Sequence, residues 1–260
     1  MTSHATLIQV LSAERLKLKR TIALKMVVVA PVSVVLLTLF MASQAPFSTL
    51  HQATTMDLWR ALSRVNLQFW AILMLPMYVT LQTALVAGLD HTDNQWKALF
   101  ARPVPRWTVY VAKLAVVGAM VLASVAILLV GILAEGKILH WYAAELRFGA
   151  IPYALLIREI AEMTGLAFLF LTIQLWVSLR WRSFSVAIGF GIIALVTSFA
   201  MALAAGQYGA WPQYFPWCLP MLVIARQPQQ NISTVLWISI LVGIAVSAAG
   251  CIDFCRRDIC

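Results

Sequence analysis

Six uninterrupted apolar runs dominate this chain and leave it few ways to fold. They extend from Ile22 to Ala42, Val65 to Leu89, Val109 to Ala134, Ile157 to Leu179, Phe184 to Ala205 and Thr234 to Ile252. A helix needs roughly 20 apolar residues to cross a hydrocarbon layer of about 30 Å. Within that layer every backbone N–H and C=O must be satisfied by the chain itself. The runs lack the period-two alternation of barrel strands, so an all-α integral membrane protein with six transmembrane helices is expected. Hydrophobic residues make up 62% of the 260 and charged residues only 11%. Soluble domains hold roughly 45–50% and about 25%, and a water-soluble core cannot absorb the difference. The connecting segments are short, so residues 1–260 are read as a single transmembrane domain. The first run is long, contains Pro31 and has no convincing small-residue cleavage site, and a retained span is expected.

Charge placement orients the helices. Six spans put both ends of the chain on one side, with the second-to-third and fourth-to-fifth loops. That side carries Arg15, Lys17, Lys19, Arg20, Lys25, Lys97, Arg102, Arg106, Lys113, Arg180, Arg182, Arg256 and Arg257, whereas the other carries Arg60, Arg64, Lys137, Arg147, Arg158 and Arg226. The positive-inside rule then places both termini in the cytoplasm. The formal charge of +9 thus reads as membrane orientation, and no nucleic-acid partner is expected. Cys218, Cys251, Cys255 and Cys260 form no metal pattern; they read as apolar filler and tail, with palmitoylation of Cys255 or Cys260 as the alternative.

Residues 1–21 precede the first span directly. Leu7, Ile8, Leu11, Arg15 and Leu18 recur at spacings of three or four, with Glu14, Lys17 and Lys19 elsewhere around the helix. An interfacial elbow helix facing anionic lipid head groups is expected. In the second loop, Asp93 or Asn94 can cap a short helix from Gln95 to Ala101, which Pro103 and Pro105 must end. Its Trp96, Leu99 and Phe100 form an apolar patch that calls for a partner protein. At the outer start of the fourth span, Arg158 and Glu162 are one turn apart and can pair; with Glu159 they mark a solvated helix end or a candidate outer vestibule. The segment from Gly206 to Ser233 is too apolar for a free loop and too broken by Pro212, Pro216, Pro220 and Pro228 to span. A re-entrant or interfacial hairpin bearing Trp211, Pro216 and Trp217 is expected there.

Much catalytic chemistry is missing. There is no glycine-rich phosphate loop, and His4, His51, His91 and His140 show no ligand spacing. No metal or cofactor is expected on this chain. Ionisable residues are scarce in the spans: Lys25 and Lys113 lie near cytoplasmic ends where they can snorkel, and Glu162 lies near the outer end. Gln68, Gln82 and Gln174 read as interhelical hydrogen-bonding residues. Energy for any transport should therefore come from outside the chain.

Four stretches carry a family resemblance: Ser12-Ala-Glu-Arg-Leu-Lys-Leu-Lys-Arg-Thr21, Asp93-Asn-Gln-Trp-Lys-Ala-Leu-Phe-Ala-Arg-Pro-Val-Pro-Arg106 with Lys113, Gln174-Leu-Trp-Val-Ser-Leu-Arg-Trp-Arg-Ser-Phe184, and Pro216-Trp-Cys-Leu-Pro220. In register over nearly the whole chain, they resemble the membrane subunits of type-2 ATP-binding-cassette exporters, most closely the lantibiotic-immunity and bacitracin-export branch. The resemblance implies a second permease, identical or a sister chain, and two cytoplasmic ATPases that bind ATP and magnesium. It implies a coupling helix at about Asp93 to Ala101, with Asp93, Gln95, Trp96, Lys97, Leu99 and Phe100 at the ATPase contact and Glu14, Arg15, Lys17 and Lys19 on the elbow. It places the first, second and fifth spans at the permease interface. The family often has a glycine before the Trp-Lys pair where this chain has Gln95, so the coupling helix is expected to pack differently in detail. The implied function is export of an amphipathic substrate, a peptide antibiotic or bacteriocin first and a lipid-like molecule second. The competing expectations are a non-transporting anchor or signalling subunit and an accessory in maturation of a periplasmic enzyme.

Overall fold

A computed structural model describes residues 3–19, 21–44, 55–92, 105–142, 149–181, 183–204, 214–225 and 231–256. Among these residues every regular element is helical: α1 (Ser3–Leu18), α2 (Ile22–Gln44), α3 (Thr55–Phe69), a π-helical stretch (Trp70–Met74), α4 (Leu75–Thr92), α5 (Arg106–Tyr142), α6 (Tyr153–Arg180), α7 (Phe184–Ala204), a 3₁₀ turn (Leu219–Met221), α8 (Leu222–Ala225) and α9 (Ile232–Arg256). Six are long and apolar enough to cross a membrane: α2, the continuous rod Leu58–Leu89, α5, α6, α7 and α9. The chain is an all-α integral membrane protein with six candidate spans, as expected. The proposed coupling segment, with Asp93, Gln95, Trp96, Lys97, Leu99 and Phe100, lies outside the described residues, as does Trp211.

Several helices exceed their apolar runs. The second starts at Thr55 and α5 continues to Tyr142, because polar side chains that find partners on neighbouring helices need not end a span. At 1.5 Å per residue α5 is about 55 Å long, well beyond a hydrocarbon layer of about 30 Å.

The most extensive pairings are α9 on α6 and α2 on α5. The α6–α9 seam is close because small residues line it. A Cβ at Gly243 would run into Phe168, one at Gly250 into Tyr110 and Trp176, and one turn before Gly243 Ser239 Oγ donates to Leu166 O at 3.1 Å. In an apolar solvent such close approach replaces the hydrophobic effect as the source of helix association. At the end assigned to the cytoplasm, Trp176 Nε1 donates to Asp253 at 3.0 Å, Arg180 lies 4.0 Å from the same carboxylate, and Arg106 donates to Cys255 O. Two of the three glutamines bridge helices as expected: Gln82 donates to Ala23 O at 2.8 Å and Gln174 to Ala187 O at 2.9 Å. Gln68 does not; it is exposed and faces an apolar groove.

The placement of α1 corrects two expectations. Its inward stripe is Leu7, Val10, Leu11, Glu14, Lys17 and Leu18, while Ile8 is 64% exposed and Arg15 and Lys19 face outward. Glu14 therefore points into the bundle rather than away from it. Lys113 does not snorkel: it is fully buried, and its Nζ meets Glu14 Oε2 at 2.9 Å and Val86 O at 3.3 Å. Lys17 holds the other carboxylate oxygen at 2.7 Å. The physical reason is economy of polar burial: Glu14 is one turn before Leu18 on the docking face, so sealing Leu18 against α5 brings the acid over Lys113, where each charge compensates the other.

Removing one partner of this buried pair should cost more than removing both. Glu14→Leu or Lys113→Met alone is expected to destabilise the folded chain by on the order of 3–5 kcal/mol, and the two together by distinctly less. Thermal unfolding of the four proteins in one detergent gives the cycle; additive losses would remove the pair from this role.

Candidate functional site

Three features stand out once the helices are in place. The first is a polar node near the C-terminal end of α5. Glu135 is fully buried, one residue beyond the expected edge of the third span at Ala134, and was missed for that reason. Asn66 Nδ2 donates to its Oε2 at 2.7 Å and to Leu62 O at 3.0 Å. Thr38 Oγ1 lies 3.1 Å from that same Oε2, 3.1 Å from Asn66 Oδ1 and 3.0 Å from Val35 O, with a single hydrogen to share among them. One carboxyl thus ties α2, α3 and α5 together. Beside it, Trp59, Leu62 and Leu139 form a small apolar cluster, and Trp59 Nε1 donates to Gly149 O at 3.2 Å.

The second is an apolar groove on the face shared by α2, the rod from α3 through the π-helical stretch to α4, and α7, which are the first, second and fifth spans. A cavity of about 300 Å³ is lined by residues including Met26, Met74, Met77, Ile188 and Gly191. A second of about 700 Å³ is lined by residues including Met41, Gln68, Phe69, Ile72 and Phe199. The two share Leu195 and meet beside the π-helical stretch. Much of the lining is exposed on this chain, Val29, Met77, Leu73 and Phe199 among it. Flexible, polarisable methionine suits such a wall to ligands of irregular shape. At Gly191 a Cβ would run into Thr80, so α7 and α4 touch directly at the floor.

The third is a cavity of about 220 Å³ at the other side of α3, lined by Arg60, Ser63, Arg64, Leu67, Leu155, Glu159, Val223 and Ile224. Of the residues expected in an outer vestibule, Glu159 lines it. Arg158 and Glu162 pair with each other at 2.7 Å and are not among its walls. Trp217 is buried instead: its ring stacks on Phe170 (5.8 Å) and Phe215 (5.5 Å) and meets Phe190 edge-on (5.8 Å), while Cys218 Sγ donates to Ser198 O. Pro216 is half-buried in the turn that delivers this plug. Aromatic packing accounts for Trp217, because a ring seated among three others has no face left for a ligand. The missed residues were readable as spacing: Arg60, Ser63, Arg64 and Leu67 fall at i, i+3, i+4 and i+7 on one helical face. Among the described residues no group of three His, Cys, Asp or Glu could hold a metal.

The polar node generates a stability prediction. Asn66→Ala withdraws the shortest hydrogen bond to a fully buried carboxyl and should cost about 1–3 kcal/mol, whereas Glu135→Gln keeps shape and pairing and should cost less. The melting temperatures of the two purified variants check the order; the reverse order would show that Asn66 is dispensable to the node.

The family profile described as ABC-2 family transporter protein matches residues 10–200, from α1 into α7. A search of curated proteins and a search of solved structures each return no significant match. The profile covers most of the chain and includes the elbow sequence, the second loop and the spans that form the groove; the chain therefore belongs to the ABC-2 transporter family, as one of its membrane-spanning permeases.

Proposed function

We propose that this permease is the membrane half of an ATP-driven exporter that clears an amphipathic substrate from the bacterial inner membrane, with both termini in the cytoplasm. The observation that carries the reading is the groove. Its two cavities run along the three spans that the resemblance to type-2 exporters places at the permease interface, and its walls are apolar with a few polar groups such as Gln68, Ser33 and Thr80. A second permease, identical or a sister chain, closes the groove into a path. Two cytoplasmic ATPases supply ATP hydrolysis, which this chain is not built to perform. Their movement reaches the spans through Trp96, Leu99 and Phe100, and α1, locked to α5 by Glu14 and Lys113, moves with them. Binding energy from ATP then shifts the pair between arrangements with the groove open to the membrane and open outward.

Peptide antibiotics or bacteriocins are the first substrate class, in a self-immunity or resistance role. A cavity of about 700 Å³ lies within the range of drug-sized sites of roughly 300–1,000 Å³, and its methionine- and aromatic-lined wall accepts varied apolar side chains.

Expression of the chain with its genomic neighbours, mild-detergent purification and an ATPase assay across a peptide-antibiotic panel test the reading. An ATPase should co-purify and be stimulated by at least one peptide; absence of any ATPase partner would overturn it in favour of an anchoring or accessory role. Trp96→Ala with Phe100→Ala should abolish substrate stimulation and leave the purified permease folded. Leu195→Trp, at the junction of the two cavities, should reduce transport several-fold with basal hydrolysis unchanged.

A further inference from the structure

The cavity between α3, α6 and α8 has a polarity gradient that the export path does not require. Its upper wall is cationic, with Arg60 and Arg64 both exposed. Its foot is apolar, with Leu67 and Val223 98–99% buried and Leu155 opposite. The gradient follows from α3 itself, where one helical face runs from arginine to leucine within two turns as the helix enters the span.

The arginines are also placed unlike their neighbour on the same rim. Arg158 is held by Glu162 at 2.7 Å, whereas the guanidinium groups of Arg60 and Arg64 have no hydrogen-bond or ion-pair partner among the described residues. Two guanidinium groups one turn apart offer planar, forked donors that match the oxygens of a phosphate. Glu159 stands on the opposite wall, leaving two positive charges against one negative in the lining. A cationic ligand is disfavoured there and an anionic one favoured.

Size narrows the ligand further. A water takes up about 30 Å³, so a cavity of about 220 Å³ holds a phosphate and a few carbons. It is too small for an antibiotic peptide. A free anion would meet the arginines but gain nothing from Leu67, Leu155 and Val223, whereas the head and first carbons of a phospholipid would use both ends.

We propose that this cavity is a binding site for an anionic, phosphate-bearing amphiphile, with the phosphate between Arg60 and Arg64 and the acyl end over Leu67, Leu155 and Val223. The inference rests on the exporter reading only for placing the site at the outer face. A phospholipid seated there contacts the second and fourth spans and the 222–225 turn together, so the site reports on, or supplies, lipid from the outer leaflet. It is distinct from the methionine-lined groove.

The test is native mass spectrometry of the full chain, purified in mild detergent with any ATPase partner it retains. The probes are phosphatidylglycerol, the phosphate-free diacylglycerol of the same chains, and inorganic phosphate. Wild type should retain phosphatidylglycerol adducts, take up no comparable diacylglycerol, and keep its lipid in millimolar inorganic phosphate. Arg60→Ala with Arg64→Ala should lower phosphatidylglycerol occupancy at least about tenfold, since two charge-assisted contacts are lost. Glu159→Gln, on the opposite wall, should retain it. Arg60→Gln with Arg64→Gln, checked by circular dichroism, serves if the alanine pair does not fold. Unchanged adducts in a folded arginine variant overturn the proposal. Equal uptake of diacylglycerol would leave a merely apolar pocket, and displacement by inorganic phosphate a free-anion site; either also overturns it. No readout needs ATP, so loss of the exporter reading through a missing ATPase is a separate result.

Discussion

A charged side chain taken out of water must bring its compensation with it. Among the described residues, the fully or nearly fully buried acidic and basic side chains are Glu14, Lys113 and Glu135, and two of these three belong to α5. Lys113 and Glu135 sit roughly 33 Å apart along that helix at 1.5 Å per residue. Each draws other helices to it: Lys113 fixes α1 through Glu14, and Glu135 fixes α2 and α3 through Thr38 and Asn66. Apolar packing in a membrane selects poorly between registers, because lipid competes on equal terms. These two nodes supply the register that the leucines and valines cannot.

The half of the second span that precedes the π-helical stretch lies between the polar cavity and the apolar groove. Arg60, Ser63, Arg64 and Leu67 face the polar cavity, while Val65, Gln68 and Phe69 face the apolar groove. At about 100° per residue the stripes starting at 60 and 65 lie roughly 140° apart, nearly opposite sides of one rod. The two linings thus share one rod, which Asn66, between the stripes, ties to Glu135.

What the sequence made legible follows from how local the controlling physics is. Six spans were readable because lipid demands a continuous apolar run, a property of neighbouring residues. Gln82 and Gln174 were readable as bridges because an amide inside such a run has few other uses. Glu135 was not, since its burial depends on Asn66 and Thr38, 69 and 97 positions away, and a run-based edge stops where the first carboxylate appears. The inward turn of Glu14 was hidden for the same reason: only the presence of Lys113 on α5 makes that face of α1 the buried one. The segment from Gly206 to Ser233 was legible as a re-entrant or interfacial hairpin only, because the seating of Trp217 among Phe170, Phe190 and Phe215 required the positions of α6 and α7. The family relation reached the permease architecture and stopped short of the substrate.

The π-helical stretch Trp70–Met74 has a consequence of its own. Inserting one residue into an α-helix advances everything beyond it by about 100°, so the stretch works as a phase shifter between the two halves of the second span. Its extra residue sets which way the arginine stripe points relative to Gln82 and Thr80 below. The stretch thus holds the arginine-bearing half of the second span at a fixed angular offset from the half that Gln82 bonds to Ala23.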